Sequence, residues 1–264
     1  MFHANIFARI LKVFCKIPKL ISTEHTICIG SIFRRLVYRI TDFLSDLNSN
    51  VSESTTKYFI LKKVFSKVKS FTVYDGIDLS RFKFKALARE NIRKQYNIFN
   101  DEFVFLNVGC LTKAKDQKTL LQAFSLLIKY DLKTKLMIVG SGELLEELKK
   151  FVYKEKISNY VIFTGAQNNI EDYYSAADCF VLSSSWEGFA IALVEAMSVG
   201  LPCITTEAGG ACKEILQNND FIIPIKNSET LFSKMKYMLE HHDQRLKSGV
   251  ENKEKSKRFD IYKM

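Results

Sequence analysis

Residues Phe103 to Gly142 read FVFLNVGCLTKAKDQKTLLQAFSLLIKYDLKTKLMIVGSG. The apolar run Phe103–Val108 stops at Gly109, as a buried strand does. From Asp116 the spacing changes: Leu120, Leu121, Phe124 and Leu127 fall on one face of a helix. Lys135–Val139 is a second apolar run, closed by Gly140-Ser141-Gly142. Strand, helix, strand within forty residues is a βαβ unit, which requires parallel pairing through a crossover.

The alternation continues downstream. A helix carries Leu144, Leu145, Leu148, Phe151 and Val152 on one face. Strands are expected at Tyr160–Phe163 (ending at Gly165), Cys179–Leu182, Leu201–Thr205 and Phe221–Ile225. Helices are expected from about Ala190 to Val199 and from Ser228. This is an α/β fold with a doubly wound, Rossmann-like parallel sheet buried on both faces. In such sheets ligands bind beyond the carboxyl ends of the strands. That rule gathers Gly109–Lys115, Gly140–Gly142, Gly165–Gln167, Ser183–Ile191 and Glu207–Gly210 around one crevice.

The first 75 residues have a different texture. Helices are expected over Phe2–Phe14, Ser31–Leu47 and Glu53–Phe65, with short strands at Leu20–Ser22 and Ser70–Tyr74. Two short strands make no independent sheet. The segment reads as the closing part of a second, incomplete α/β domain. The expected division is 1–75 for this part, 76–86 for a linker, and 87–264 for the crevice-bearing domain.

The 264 residues contain 39 Lys and Arg against 29 Asp and Glu, a net charge of +10. Residues 1–50 hold seven basic and three acidic side chains, residues 51–70 five and one, and the last twenty seven and three. The middle is slightly acidic. Basic residues thus avoid the predicted crevice, which argues against nucleic acid as partner. Basic flanks with apolar faces suit an anionic membrane surface, and equally a solvated Lys-rich exterior. No apolar run approaches the ~18 residues of a membrane span. The apolar start lacks the charge order and small-residue end of a signal peptide. Six separated cysteines and four histidines offer no zinc or disulfide pattern, which fits a reducing cytoplasm.

The segment Trp186–Glu195, WEGFAIALVE, places two carboxylates eight positions apart. Glu187 lies in a loop after a strand and Glu195 within the next helix, two turns in. Between them a helix N-terminus offers free N–H groups and a favourable dipole to phosphate. Gly188 permits close backbone approach, and Glu195 could accept from a ribose diol. A helix with an acidic first turn and one solvated Glu would give the same spacing.

Glu187–Glu195 resembles the E-x7-E motif of retaining GT-B glycosyltransferases of family 4. Other segments resemble that family in the same order. Tyr74-Asp75-Gly76-Ile77-Asp78 is similar to its N-G-I-D linker signature, with Asp75 for Asn. Asn107–Leu111 with Lys115-Asp116 resembles its V-G-R-L…K-D loop, and Val139–Glu143 its V-G-x-G segment. Asp178–Ser184, Ala196-Met197, Gly200-Leu201-Pro202 and Gly209-Gly210 with Glu214 follow in register, the last spacing one residue long. Met1-Phe2-His3-Ala4-Asn5 is similar to the end of an H-x-x-H-A-N segment, so the family's important histidine would precede Met1.

The resemblance implies a GT-B-type enzyme, here truncated at both ends. Glu187 would stand beside the donor sugar and, with Lys115, act in catalysis. Lys115 would hold the donor diphosphate, with Gly109, Cys110, Gly140, Gly188, Phe189, Ala190 and Ile191 around it. Gly165 would lie near the base and Glu195 would bind ribose. Cys110 stands where the family has an Arg, and a thiol cannot replace a bidentate cation. The implied partners are a nucleotide-sugar donor and a lipid-linked or saccharide acceptor in surface polysaccharide assembly, with peripheral contact at the inner face of the cytoplasmic membrane. No cofactor or metal is implied, since cationic side chains and helix dipoles stabilise the departing diphosphate. A donor-binding remnant without turnover and a sugar-nucleotide epimerase of the same architecture are the alternatives.

Overall fold

The structure is a computed structural model that describes residues 1–217 and 219–263. It contains two parallel sheets. The larger has strands β4 (Phe103–Val108), β5 (Thr134–Val139), β6 (Val161–Gly165), β7 (Cys179–Leu182), β8 (Cys203–Thr206) and β9 (Ile222–Ile223). Their spatial order is β6-β5-β4-β7-β8-β9, and every pairing is parallel. The chain runs outward from β4 to β6, returns, and runs outward the other way from β7. The reversal between β4 and β7 is a topological switch point, where loops part at the carboxyl edge and leave room for a ligand.

Helices α5 (Gln117–Tyr130), α6 (Leu145–Lys154), α7 (Ile170–Ala176), α8 (Ile191–Val199), α9 (Ala211–Leu216), α10 (Ser228–Glu240) and α11 (His242–Ser256) cover this sheet. The strands are apolar throughout because both faces are covered: Phe105, Leu106, Met137, Ile138, Phe180 and Val181 are all fully buried. Each such side chain contributes about 1.5–3 kcal/mol relative to exposure. Helix α5 starts where Asp116, in the left-handed region at φ 47°, accepts the Thr119 N–H on its side chain. Helix α4 (Ala86–Gln95) precedes the sheet and is fixed by charge. Arg89 and Arg93 each place a guanidinium nitrogen 2.6 Å from a different oxygen of Asp178, and that carboxylate also accepts the Val104 N–H.

The smaller sheet has order β1-β2-β3, with β1 (Ile21–Glu24), β2 (Leu47–Asn50) and β3 (Ser70–Thr72). Here the sequence expectation needs correction. The helix predicted over Ser31–Leu47 ends early: α2 spans Ile32–Thr41, a 3-10 turn follows at Asp42–Leu44, and Leu47 opens a strand. That strand, LNSN, is polar yet buried from Asn48 to Asn50. It is buried because α1 (Phe2–Phe14) brings a fully buried Arg9 against it. The guanidinium donates to Ser22 Oγ at 3.1 Å, to the Tyr38 carbonyl at 3.0 Å and to Asn48 Oδ1 at 2.8 Å. Helix α3 (Glu53–Leu61) connects β2 to β3. This part thus has three strands rather than the two expected from the sequence.

Outward faces of this smaller unit are apolar and exposed. Phe7, Ile10 and Phe14 on α1, Ile32, Phe33, Leu36 and Ile40 on α2, and Ile21, Leu47 and Phe71 on the strands all reach solvent. The tail closes on the linker: the Ile77 N–H donates to the Phe259 carbonyl and the Ile261 N–H to the Ile77 carbonyl. No helix among the described residues is long and apolar enough to cross a membrane.

Candidate functional site

The loops after β4 and β7 meet across the switch point. The Ser185 N–H donates to the Ala114 carbonyl at 2.7 Å, and Ser183 Oγ to the Lys115 carbonyl at 2.9 Å. Ser185 Oγ reaches Asp116 Oδ2 at 3.2 Å. These bonds deliver Lys115 and Glu187 to one point. Lys115 Nζ lies 2.6 Å from Glu187 Oε1, which also accepts the Ser184 hydroxyl. Glu187 is buried and Lys115 partly exposed. A carboxylate removed from water needs such a cation and hydroxyl to remain ionised without a large penalty.

The glycine-bearing loops are spliced by backbone bonds. The Gly109 N–H donates to the Val139 carbonyl, the Leu111 N–H to the Ser141 carbonyl, and the Gly140 N–H to the Gly165 carbonyl at 2.9 Å. At Gly140, φ is +142° and a Cβ would sit 2.0 Å from the Gly109 oxygen, so no other residue fits. Gly165, at the end of β6, faces open space. Cys110 is exposed, and its carbonyl accepts the Gln117 amide.

Helix α8 begins at Ile191, so Glu195 lies one turn in, not the two expected from the sequence. Its carboxylate accepts the Tyr174 hydroxyl at 2.7 Å. Burial raises the Glu195 pKa above the usual carboxylate value, and the Tyr174 hydrogen bond partly opposes that shift. Glu195 therefore does not share a hydrogen-bond network with Glu187. The two carboxylates of the motif part ways: Glu187, in the loop before α8, is turned to Lys115, and Glu195, within α8, to Tyr174.

The segment between them is covered by the smaller sheet's lobe. Gly188, Phe189 and Ala190 are buried, and a Cβ on Gly188 would meet the His25 carbonyl oxygen at 1.8 Å. His25 follows β1 and has its Nδ1 3.7 Å from Asp75 Oδ1; burial raises the pKa of that carboxyl, and His25 partly opposes it. His3 lies on the first turn of α1, edge-on to Phe2. A cavity of about 530 Å³ opens at the other edge of the sheet, between α11 and the starts of β4 and β7. Phe84, Phe103, Arg245 and Leu246 line it, and none of the predicted site residues does. The ion pair on its wall, Arg89 with Asp178, is the one that fixes α4, and the cavity lies opposite the switch point, away from Lys115 and Glu187.

Sequence reading missed α4, α7, α9 and α11, and with them Tyr174, the partner of Glu195, and the docking role of Glu214. The Glu214 carboxylate accepts the N–H groups of Glu53 and Ser54 in the other lobe. Its place after Gly209-Gly210 was the available signal.

Comparisons with known proteins bear on the family and the fold. The chain is 31% identical over 225 residues, 84% of its length, to N-acetylgalactosamine-N,N'-diacetylbacillosaminyl-diphospho-undecaprenol 4-alpha-N-acetylgalactosaminyltransferase of Campylobacter jejuni, and covers 55% of that protein. It is 27% identical over 228 residues, 82% of its length, to UDP-Gal:alpha-D-GlcNAc-diphosphoundecaprenol alpha-1,3-galactosyltransferase of Escherichia coli, and covers 58% of it. The chain thus spans little more than half the length of these two relatives. Among solved structures, Anabaena HepE in complex with UDP and glucose superposes with a TM-score of 0.89 at 20% identity, covering 99% of this chain and 73% of that one. WaaG, a glycosyltransferase involved in lipopolysaccharide biosynthesis, gives 0.76 at 18% identity, covering 92% and 71%. These two likenesses establish the fold. The family model described as glycosyl transferases group 1 matches residues 88–255, the greater part of the chain, and the chain belongs to that family.

Proposed function

We propose that this chain forms the donor side of an enzyme that transfers a sugar, with retention, from a nucleoside diphosphate to a lipid-linked or saccharide acceptor. The observation that carries this reading is the Lys115–Glu187 pair at the switch point, beside the first turn of α8. The first N–H groups of a helix have no intrahelical acceptor, and their dipole favours an anion. With Lys115 they offer a diphosphate two sources of positive charge, and these stabilise it most as it leaves. Glu187 stands where the donor sugar would follow the phosphates, and Glu195 would take the ribose. In this reading the positive charge comes from Lys115 and the α8 dipole rather than from a metal ion.

The names of the relatives support the acceptor class proposed. The Campylobacter and Escherichia proteins are named for sugars carried on undecaprenol diphosphate. The exposed apolar residues of α1 and α2, with Lys16 just past α1 and Arg39 on α2, suit an anionic membrane surface at its cytoplasmic side. Surface polysaccharide assembly is the process this combination fits.

A second reading has one observation in its favour. Cys110, a neutral thiol, occupies the loop position that supplies an Arg in the resembling family, so the chain could bind donor without turnover. Calorimetry with UDP, GDP and ADP tests what both readings share; no binding to any of them rejects both. Transfer to an undecaprenyl-diphosphate-linked sugar, assayed with EDTA present and with the anomeric product read by NMR, separates them. Turnover with retention supports the enzyme, and binding without turnover supports the remnant.

A further inference from the structure

The two lobes are joined at a point away from the Lys115–Glu187 pair. Helix α3 begins at Glu53 in the smaller lobe, after Ser52, whose side chain accepts the Thr55 N–H. Its first two N–H groups are taken by Glu214, from α9 in the larger lobe. The Glu53 N–H donates to Oε2 at 2.9 Å and the Ser54 N–H to Oε1 at 2.5 Å. The Tyr74 hydroxyl, on the linker side, donates to the same Oε2 at 3.1 Å. A carboxylate on two helix N-terminal amides is a charge-assisted contact strengthened by the helix dipole.

What lies between Glu214 and Glu187 makes this contact more than a surface tie. Helix α9 is introduced by Gly209 and Gly210, both with positive φ, and each is pressed against the other lobe. A Cβ on Gly210 would lie 2.8 Å from the Ser54 side chain, and one on Gly209 would lie 3.1 Å from Ile27 and 3.0 Å from the Glu187 carbonyl. Gly188, next to Glu187, abuts the His25 carbonyl. The Glu187 loop is therefore held between His25 on one side and the Gly209 turn on the other. On the far side Arg258 donates to the Glu214 and Ile215 carbonyls, and Phe259 packs on Phe189 and Tyr74.

We propose that Glu214 is a positioning residue: seated on the N-terminus of α3, it fixes the closed arrangement of the lobes and thereby the place of Glu187 over the donor. The proposal rests on the donor-site reading above. Its first consequence needs no ligand. The Glu214 carboxylate bonds to Glu53, Ser54 and Tyr74 and not to Lys115 or the Gly109, Gly140 and Gly165 loops, so removing it should loosen the lobes and leave the nucleotide contacts in place.

Two variants test this from opposite lobes. Glu214→Ala removes the acceptor. Glu53→Pro removes one donor at the first helical position, where proline is well tolerated. X-ray scattering on the ligand-free protein should show a larger radius of gyration for both. Hydrogen exchange at the Ser54 amide should accelerate in Glu214→Ala. In UDP calorimetry both variants should stay within threefold of the unaltered protein. In transfer assays the donor KM should hold while kcat falls tenfold or more, and the double variant should be no worse than the poorer single. Unchanged scattering and exchange in both variants overturns the latch, as does kcat loss that adds fully between them. An unaltered protein that binds no UDP, yet opens on losing Glu214, rejects the donor reading and keeps the latch.

Discussion

Lys115 Nζ and Glu187 Oε1 stand 2.6 Å apart across the switch point between β4 and β7, and the pair is held from behind by Ser184 and Ser183. Lys115→Met leaves Glu187 buried beside a single hydroxyl. An uncompensated buried carboxylate costs about 1–3 kcal/mol where one partner is partly exposed, which is several degrees in Tm for a chain this size. Adding Glu187→Gln removes the orphaned charge. The double variant should melt above Lys115→Met, so the two losses should not add. UDP affinity should fall about tenfold or more with either Lys115 variant, since a charge-assisted contact is lost. Calorimetric melting and UDP titration of the three proteins check this; simple additivity in Tm would show that the pair is not coupled.

Cys110 supplies a gain-of-function prediction. Its side chain is exposed on the loop that carries Lys115, and its backbone is already fixed by Gln117. Cys110→Arg therefore adds a planar cation without disturbing a packed core. One charge-assisted contact to a diphosphate contributes about 1.5–3 kcal/mol, so UDP should bind about tenfold tighter or better. Uridine, which lacks the phosphates, should bind with unchanged affinity. Equal affinity of both proteins for UDP would place the diphosphate elsewhere.

How much of this was legible in the sequence depends on what holds each element. The strands of the larger sheet were readable because a parallel sheet covered on both faces must be apolar, and Phe105 or Ile138 has no other place to go. The strand Leu47–Asn50 was not, because its burial is polar: Asn48 faces the Arg9 guanidinium, a contact 39 residues away. Apolar Ile40, Phe43 and Leu47 at helical spacing then suggested one long helix. Helices α7 and α9 are too short for a period to emerge. Helix α11 packs through Ser248, Gly249 and Asn252, where a Cβ on Gly249 would sit 2.2 Å from the Gly200 oxygen, so it shows no apolar stripe. Of the site, the loops were legible from the strand ends and glycines. The pairing of Glu195 with Tyr174 was not, since it depends on how α7 packs against α8.

Two glycines separate folding from closure. Gly140→Ala places a methyl 2.0 Å from the Gly109 oxygen inside one lobe and needs a φ of +142°. It should destabilise the protein by about 2 kcal/mol or more through strain and overpacking. Gly188→Ala places its methyl 1.8 Å from the His25 oxygen, across the lobe boundary. That clash can be relieved by opening the lobes. Its Tm should stay close to that of the unaltered protein while transfer is lost. Melting and activity measured on both variants test the contrast, and a large Tm loss in Gly188→Ala would mean that the lobes do not separate.

Glu195 gives a prediction with a pH sign. Burial raises its pKa above the ordinary value of 4.5, and the hydrogen bond from Tyr174 only partly opposes this. A carboxyl with a raised folded-state pKa binds more protons folded than unfolded, so stability falls as pH rises through the window that starts near 4.5. Glu195→Gln cannot ionise, yet its amide oxygen still accepts the Tyr174 hydroxyl. The variant should therefore melt at or above the unaltered protein at pH 7, with the difference vanishing towards pH 4. Nucleotide binding should move the other way: a ribose diol donates more strongly to a carboxylate than to an amide, so UDP affinity should drop several-fold at pH 7. Thermal melting between pH 4 and 7, with UDP titrations at the upper end, reads both. A Gln variant that is less stable at pH 7 than at pH 4, relative to the unaltered chain, would mean that the ionised carboxylate is stabilised where it sits.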